Sequence, residues 1–300
     1  MAAVSDKPAT SAPGGPVTVD EAYRRCLALA RSHYENFSVA TRFLPRELTP
    51  FMAAIYAFCR TVDDQGDEAK GDRVALLAEW EQDLLRCYGG APQHPYLLAL
   101  QDTIARFDIP KEPFLKLAQA NRMDQVNKRH STYQDLLLYC DHSANPVGRL
   151  VLYVFGYRDE ERQRLSDYTC TALQLANFWQ DVRRDYAVGR IYLPLEDLKR
   201  FGCTEQTIAE GVATPEFKRL MAFEVERARE LFLKGLPLVG AVSGKLKLDL
   251  ALFSRGGLRV LDAIREQDYD VLKKRPQVTK ARKAWLLFGT YLDLKRGRLG

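Results

Sequence analysis

Read for apolar and polar positions alone, the chain repeats one pattern. Apolar residues recur at three- and four-residue steps over roughly 73–88, 94–107, 112–129, 132–155, 160–187, 215–235, 245–268 and 277–292, while two-residue alternation is hard to find. This spacing predicts an all-α protein. Helix starts are legible as well. Thr18 and Glu21 have the spacing of a capping box, and Thr49-Pro50 and Thr214-Pro215 each put a capping hydroxyl before a proline suited to a first turn. Pro146 interrupts an apolar run and predicts a kink. Residues 1–17, rich in Ala, Pro, Ser and Gly, lack periodicity and read as a disordered leader. No linker, repeat or composition break follows, so 18–300 reads as one helical domain with a basic C-terminal segment, 273–300.

Composition narrows the class. With 300 residues, 46% apolar and 28% charged, the balance is that of a soluble globular chain able to bury a sizeable core. The six cysteines are scattered, none at the two-residue spacing of a zinc or redox site, and read as buried thiols of a reducing cytoplasm. No apolar run approaches the ~18–20 residues of a membrane span, and no secretory signal opens the chain. A cytoplasmic protein is expected. The net charge of +5 is unevenly placed: from Lys273 to Gly300 nine basic residues face one acid, Asp293. Interleaved with Trp285, Leu286, Leu287, Phe288 and Tyr291, they suit peripheral docking on the anionic inner face of a membrane; a solvated terminal helix with a basic face explains them equally well. No recognition motif supports binding of nucleic acid.

Two acidic stretches carry the chemistry. In the first, an apolar helix pattern runs into Arg60-Thr61-Val62-Asp63-Asp64-Gln65-Gly66-Asp67-Glu68, with Asp63 and Asp67 one α-turn apart. Like charges at that spacing cost a helix roughly 0.2–0.5 kcal/mol, so a compensating cation is expected. In the second, Gln174, Asn177, Asp181 and Asp185 fall at steps of three, four and four on a helix otherwise apolar around most of its circumference. That stripe should face an interior cavity, where bare carboxylates are costly. A lone Asp-x-x-x-Asp is usually a solvated face, but two such clusters facing each other suit Mg²⁺ ions that complete their shells with water and substrate phosphates. Arg60 and Arg190 could fork onto diphosphate oxygens, although each alone reads as a surface ion pair. Metal and arginine would stabilise a departing diphosphate while an apolar pocket holds a carbocation. Tyr56, Phe58, Phe178, Trp179 and Tyr192 are candidate aromatic faces for it, or plain core. No Ser/His/Asp signature, phosphate loop or dinucleotide fingerprint is present, and His130 and His142 read as unremarkable.

At these residues the chain resembles the squalene/phytoene synthase family of head-to-head isoprenoid synthases. The match spans about residues 20–295 and is strongest at Phe58-Cys59-Arg60-x-x-Asp63-Asp64-x-x-Asp67-Glu68, at Tyr139-Cys140, at Gln174-Leu175-x-Asn177-x-x-x-Asp181-x-x-x-Asp185 and at Gly189-Arg190-Ile191-Tyr192-Leu193-Pro194. The resemblance implies an isoprenoid synthase fold around a central cavity and Mg²⁺ holding a prenyl diphosphate. Carried over by motif, Asp63, Asp64, Asp67, Asn177, Asp181 and Asp185 are metal-associated. Tyr56, Arg60 and Arg190 line the diphosphate site, and Tyr139 is the cavity tyrosine. The departures are informative. Gln180 stands where condensing members carry arginine, so one diphosphate-facing cation is expected to be missing; Ser143-Ala144-Asn145-Pro146 replaces the usual Val-Ala-Gly, and Tyr34-Glu35-Asn36-Phe37 replaces Ser-x-Ser-Phe. This combination is similar to the bacterial hydroxysqualene synthase branch of the hopanoid route. It implies ionisation of presqualene diphosphate, capture of the cation by water, and a separate reducing enzyme as pathway partner; a positioned water needs polar partners in a dry pocket, which Gln180 or Asn145 could supply. Two other readings stay open: a presqualene diphosphate, squalene or phytoene synthase condensing two prenyl diphosphates, and a non-catalytic relative serving assembly.

Overall fold

The protein is described here by a computed structural model covering residues 17–32, 45–69 and 71–298, apart from the side chains of Asp67, Glu68 and Lys280. Most of the leader, 1–16, and the Tyr34–Phe37 departure lie outside the described residues, as does the side chain of Asp67. Among the described residues the structure is all helix, with a lone parallel bridge between Arg129 and Ile191.

Helix α1 (Val19–Ser32) packs on α2 (Thr49–Asp63) and, beyond the loop and α3 (Arg73–Gly89), on α4 (Pro95–Phe107). Ala22, Cys26 and Ala30 meet Ala53, Ala54, Ala57 and Ala99, all buried, so these backbones approach closely. A second core joins α2, α3 and α4 to α5 (Glu112–Val126), with Phe58 set edge-on against Phe114. The largest core surrounds the 28-residue α8 (Glu160–Ala187), which packs against α11 (Pro215–Gly235) and α13 (Gly244–Glu266). Its Trp179 is fully buried and donates its indole N–H to the Glu224 carbonyl at 3.1 Å. Short helices α9 (Leu195–Arg200), α10 (Glu205–Glu210) and α12 (Pro237–Ala241) connect α8, α11 and α13, and α14 (Lys280–Lys295) lies on α13.

Three expectations change. The 132–155 pattern is two helices, α6 (Tyr133–Ser143) and α7 (Asn145–Val154), parted at Ala144. Pro146 has no N–H to donate and its ring crowds the carbonyl four residues back, so the chain restarts instead of merely bending. Thr214 caps its helix by accepting the Phe217 N–H, but Thr49 does not cap: it is already helical, and its hydroxyl donates to the Pro45 carbonyl. The segment Asp64–Glu68 is a π-turn and not a continuation of the α-helix.

Candidate active site

The first acidic stretch leaves α2 through that π-turn, closed by the Ala69 N–H donating to the Asp64 carbonyl at 2.9 Å. The widened turn alters the one-turn spacing expected of Asp63 and Asp67, and such bulges recur at functional sites. Its neighbour is α5. Asn121 donates to Asp63 at 3.3 Å and Gln125 donates to the Gly66 carbonyl at 2.9 Å. A Cβ on Gly66 would stand 2.3 Å from the Asn121 amide oxygen and 3.3 Å from its Cβ, so a larger residue would have to push that side chain aside. Arg60 lies one turn before Asp64 and pairs with it at 2.5 Å, half-buried, while Tyr56 lies one turn earlier still.

On α8 the stripe forms as its spacing predicts. Asn177 is exposed, Gln174, Asp181 and Asp185 are half-buried, and the neighbours Phe178, Trp179 and Gln180 are buried. Burial pushes the Asp185 carboxyl up to about 6, and the nearby Asp181 charge adds to the rise against Arg190, Arg184 and Arg275. Gly189, at φ 81°, then turns the chain back. The Arg190 N–H closes on the Asp185 carbonyl at 2.8 Å, and Ile191 and Leu195 donate to the Lys128 and His130 carbonyls. This pinned strap lays Tyr192 flat on Phe178, with centroids 3.7 Å apart and planes 9° from parallel.

Arg275 is the residue that sequence reading missed. From the loop after α13 it donates Nε and Nη2 to the two oxygens of Asp181 at 2.6 and 2.7 Å, and Nη2 also reaches the Gln180 amide oxygen at 2.8 Å. Gln180 in turn donates to the Pro276 carbonyl at 2.6 Å. The cation expected to be absent at position 180 thus arrives from 95 residues away, held by the glutamine that replaces it. Gln180 accordingly serves the guanidinium, with both ends of its amide engaged. Only the isolated Arg-Pro in a basic run could have drawn attention to it.

Tyr139 is buried and donates to Asp124 of α5 at 3.0 Å; burial drives its hydroxyl well above the ordinary range. Tyr139, Tyr192, Phe178 and His130 form one aromatic cluster, with His130 stacked on Tyr192 at 5.8 Å. His130, expected to be unremarkable, is therefore a wall of this cluster, and burial lowers its pKa so that the neutral ring is favoured. Asp124 and Asn121 carried no sequence signal beyond lying on one helix. Asn145 is buried and its amide oxygen accepts the Thr171 hydroxyl at 2.8 Å.

One turn before Asn177 and one turn before Tyr56 lies an apolar cavity of about 240 Å³, lined among others by Met52, Val151, Phe155, Cys170, Leu173 and Asp249. Asp249 brings a carboxylate to this lining, and burial pushes it up to about 7. A wider open cleft of about 690 Å³ around Trp80 and His94 belongs elsewhere: its Asp83 is spent on the Gln93 and His94 N–H groups and Arg86.

The two acidic stretches are joined through α5, from Asp63 and Gly66 to Asn121 and Gln125, and from Asp124 to Tyr139 and its ring beside Phe178. Among the described residues no three His, Cys, Asp or Glu gather tightly enough to hold an ion by themselves. The donor chemistry nonetheless fits Mg²⁺, which takes few carboxylates and fills its shell with water and phosphate oxygen. The repulsion that raises Asp185 beside Asp181 is what a divalent cation would relieve.

Comparison with known proteins decides the family. Residues 30–282 match the squalene/phytoene synthase profile. The chain belongs to the squalene/phytoene synthase family. Its fold superposes on squalene synthase HpnC from Alicyclobacillus acidocaldarius with a TM-score of 0.82 and 50% identity, covering 85% of this chain and 97% of that one. A dehydrosqualene synthase in complex with ligand gives a TM-score of 0.82 at 27% identity over 93% of this chain and 98% of that one. The 15-cis-phytoene synthase of Synechococcus elongatus is 31% identical over 89% of this chain and 91% of its own length. Membership makes the all-helical architecture an isoprenoid synthase fold, and family members are enzymes acting on prenyl diphosphates. No helix among the described residues is long and apolar enough to cross a membrane.

Proposed function

We propose that this protein is an Mg²⁺-dependent hydroxysqualene synthase that ionises presqualene diphosphate and lets water capture the rearranged cation. The observation that carries the reading is the Gln180–Arg275–Asp181 arrangement. A condensing synthase must neutralise two diphosphates, whereas this reaction handles one. With an amide at position 180, the guanidinium beside Asp181 comes from Arg275 on a distant loop and is held by that amide, a departure from the condensing pattern at the diphosphate-facing stripe. The 50% identity to a squalene synthase, against 31% to a phytoene synthase, supports a squalene-type over a phytoene-type reaction.

In this reading Asp63, Asp64, Asp67, Asn177, Asp181 and Asp185 would hold Mg²⁺, which would supply positive charge against a diphosphate that leaves with the bonding electron pair. Arg60, Arg190 and Arg275 bind diphosphate oxygens, with Tyr56 and Gln174 beside them. Tyr139, Phe178 and Tyr192 wall the site beside the stripe and exclude bulk water. Their bonding to Asp124 and stacking on each other support fixed positions. The water oxygen forms the new C–O bond and its proton passes to the released diphosphate. Because Asn145 already accepts from Thr171, its NH₂ end is the part suited to orient that water. No reductant is consumed; reduction to squalene falls to a separate enzyme.

The test is product analysis. Purified protein with Mg²⁺ and presqualene diphosphate, without reductant, should yield hydroxysqualene by mass spectrometry, and farnesyl diphosphate alone should not be turned over. Turnover of farnesyl diphosphate to presqualene diphosphate or a triterpene hydrocarbon would favour a condensing synthase. No turnover of any prenyl diphosphate would favour a non-catalytic assembly role.

A further inference from the structure

Helix α14 carries apolar residues on both sides, more than a helix that only covers a core would expose. The side it turns to the body is mixed: Leu294 packs against Val239 and Ala251, while Thr290 is fully buried and Asp293 half-buried, both held by Arg255 of α13 at 3.2 and 2.8 Å. The side it turns outward is aromatic. Trp285, Phe288 and Tyr291, at three-residue steps, are 74%, 56% and 46% exposed. They form a ridge along one face, with Trp285 set edge-on to Phe288 at 6.2 Å and the Lys295 ammonium over Tyr291 at 5.2 Å. Large aromatic side chains left in water in a row call for a cover.

The flanking charge says what covers them. Lys273, Lys274, Lys283, Lys295, Arg296 and Arg298 are all exposed. The only acid from 273 to 298 is Asp293, which Arg255 neutralises from the inner side. An aromatic ridge bordered at both ends by cations alone has the chemistry of a helix lying in a bilayer interface, where Trp and Tyr seat at headgroup depth and Lys and Arg meet anionic lipid. We propose that α14 docks the protein on an anionic lipid surface, its axis in the membrane plane and the Trp285–Phe288–Tyr291 ridge inserted.

The docking helix is tied to the site. Thr279 caps α14 by accepting the Arg282 N–H, and four residues upstream Arg275 grips Asp181. The strap that delivers the guanidinium therefore also sets the helix, and bound lipid would steady that end of the site. A prenyl substrate and its apolar product, both of which partition into bilayers, would exchange beside the membrane and not through water.

Intrinsic fluorescence reads the docking directly, because Trp80 and Trp179 are buried and Trp285 is the exposed indole. Full-length protein is mixed with vesicles of phosphatidylcholine alone or with about one-third phosphatidylglycerol, and binding is followed by emission and co-sedimentation. With the anionic vesicles the emission should shift to the blue, and binding should fall at least about tenfold in high salt or with phosphatidylcholine alone. W285S/F288S should bind at least about tenfold more weakly with an unchanged circular dichroism spectrum and melting temperature, and R296E/R298E should weaken it without touching the ridge. Equal binding by W285S/F288S, or no binding to either vesicle, would overturn the proposal. So would a wild-type dimer that W285S/F288S turns into a monomer while vesicles leave Trp285 unaffected, since the cover would then be a second copy. Activity on soluble substrate is measured alongside, so loss of docking and loss of the proposed reaction are distinguishable.

Discussion

Arg275 grips both carboxylate oxygens of Asp181, 94 residues earlier in the chain, with Nε and Nη2 at 2.6 and 2.7 Å. The pair is half-buried and its geometry is a planar fork, which lysine cannot reproduce. R275A and R275K should therefore both lower kcat/KM on presqualene diphosphate, by about 100-fold for Ala and less for Lys. Steady-state kinetics checks this; unchanged kinetics in R275A would remove Arg275 from the site.

Tyr139 and Asp124 share one hydrogen bond in a buried aromatic wall. Y139F keeps the ring and deletes only the hydroxyl, leaving Asp124 without that donor, and should cost about 1–3 kcal/mol of stability. Chemical denaturation measures the loss. Retention of the Tyr192–Phe178 stack predicts that Y139F still folds to the wild-type circular dichroism spectrum.

Gly257 is a packing requirement and not a hinge. A Cβ there would stand 2.1 Å from the fully buried Phe232 ring and 3.0 Å from Leu173. G257A should destabilise by about 1–3 kcal/mol through overpacking, and, because Leu173 lines the apolar cavity, should also crowd that cavity. Thermal melts of G257A against G256A, which meets nothing within 4 Å, separate close packing from helix propensity.

Asp249 titrates in an apolar cavity, raised by burial to about 7 against an ordinary 3.8. A folded-state pKa above the unfolded value means the native state binds the proton more tightly. Stability from this group is greatest below about 4, falls as pH rises towards about 7, and stays at its low value above that. D249N should therefore gain thermal stability relative to wild type at pH 8 and gain little at pH 4. Melting temperatures across that range test it; an advantage that grows towards acid pH would contradict the assignment.

Helices, their order, and the two acid motifs were legible because period and motif are local properties. The α8 stripe is the clearest case: Gln174, Asn177, Asp181 and Asp185 sit on one face as their spacing dictates. What local pattern could not reveal were partners brought by tertiary packing. Arg275, Asn121 and Asp124 reach the site from other helices and loops, and no periodicity encodes those encounters. The π-turn at Asp64 escaped for a related reason, since Gly66 and the pressing amide of Asn121 act together only after α5 has docked. Thr49 had the right residue type for a cap but stands one position inside its helix, an error of register. The outward aromatic face of α14 was visible as composition only, since which side a lone helix buries is settled by Arg255 on its neighbour.

The central claim is that water, and not a hydride or a second prenyl group, ends the reaction. Presqualene diphosphate is incubated with protein and Mg²⁺ in oxygen-18-labelled water, without reductant, and the product is weighed by mass spectrometry. One labelled oxygen in hydroxysqualene, abolished by chelator and by D181N, is the predicted result. An unlabelled alcohol, a hydrocarbon, or product formed equally well in chelator would contradict it.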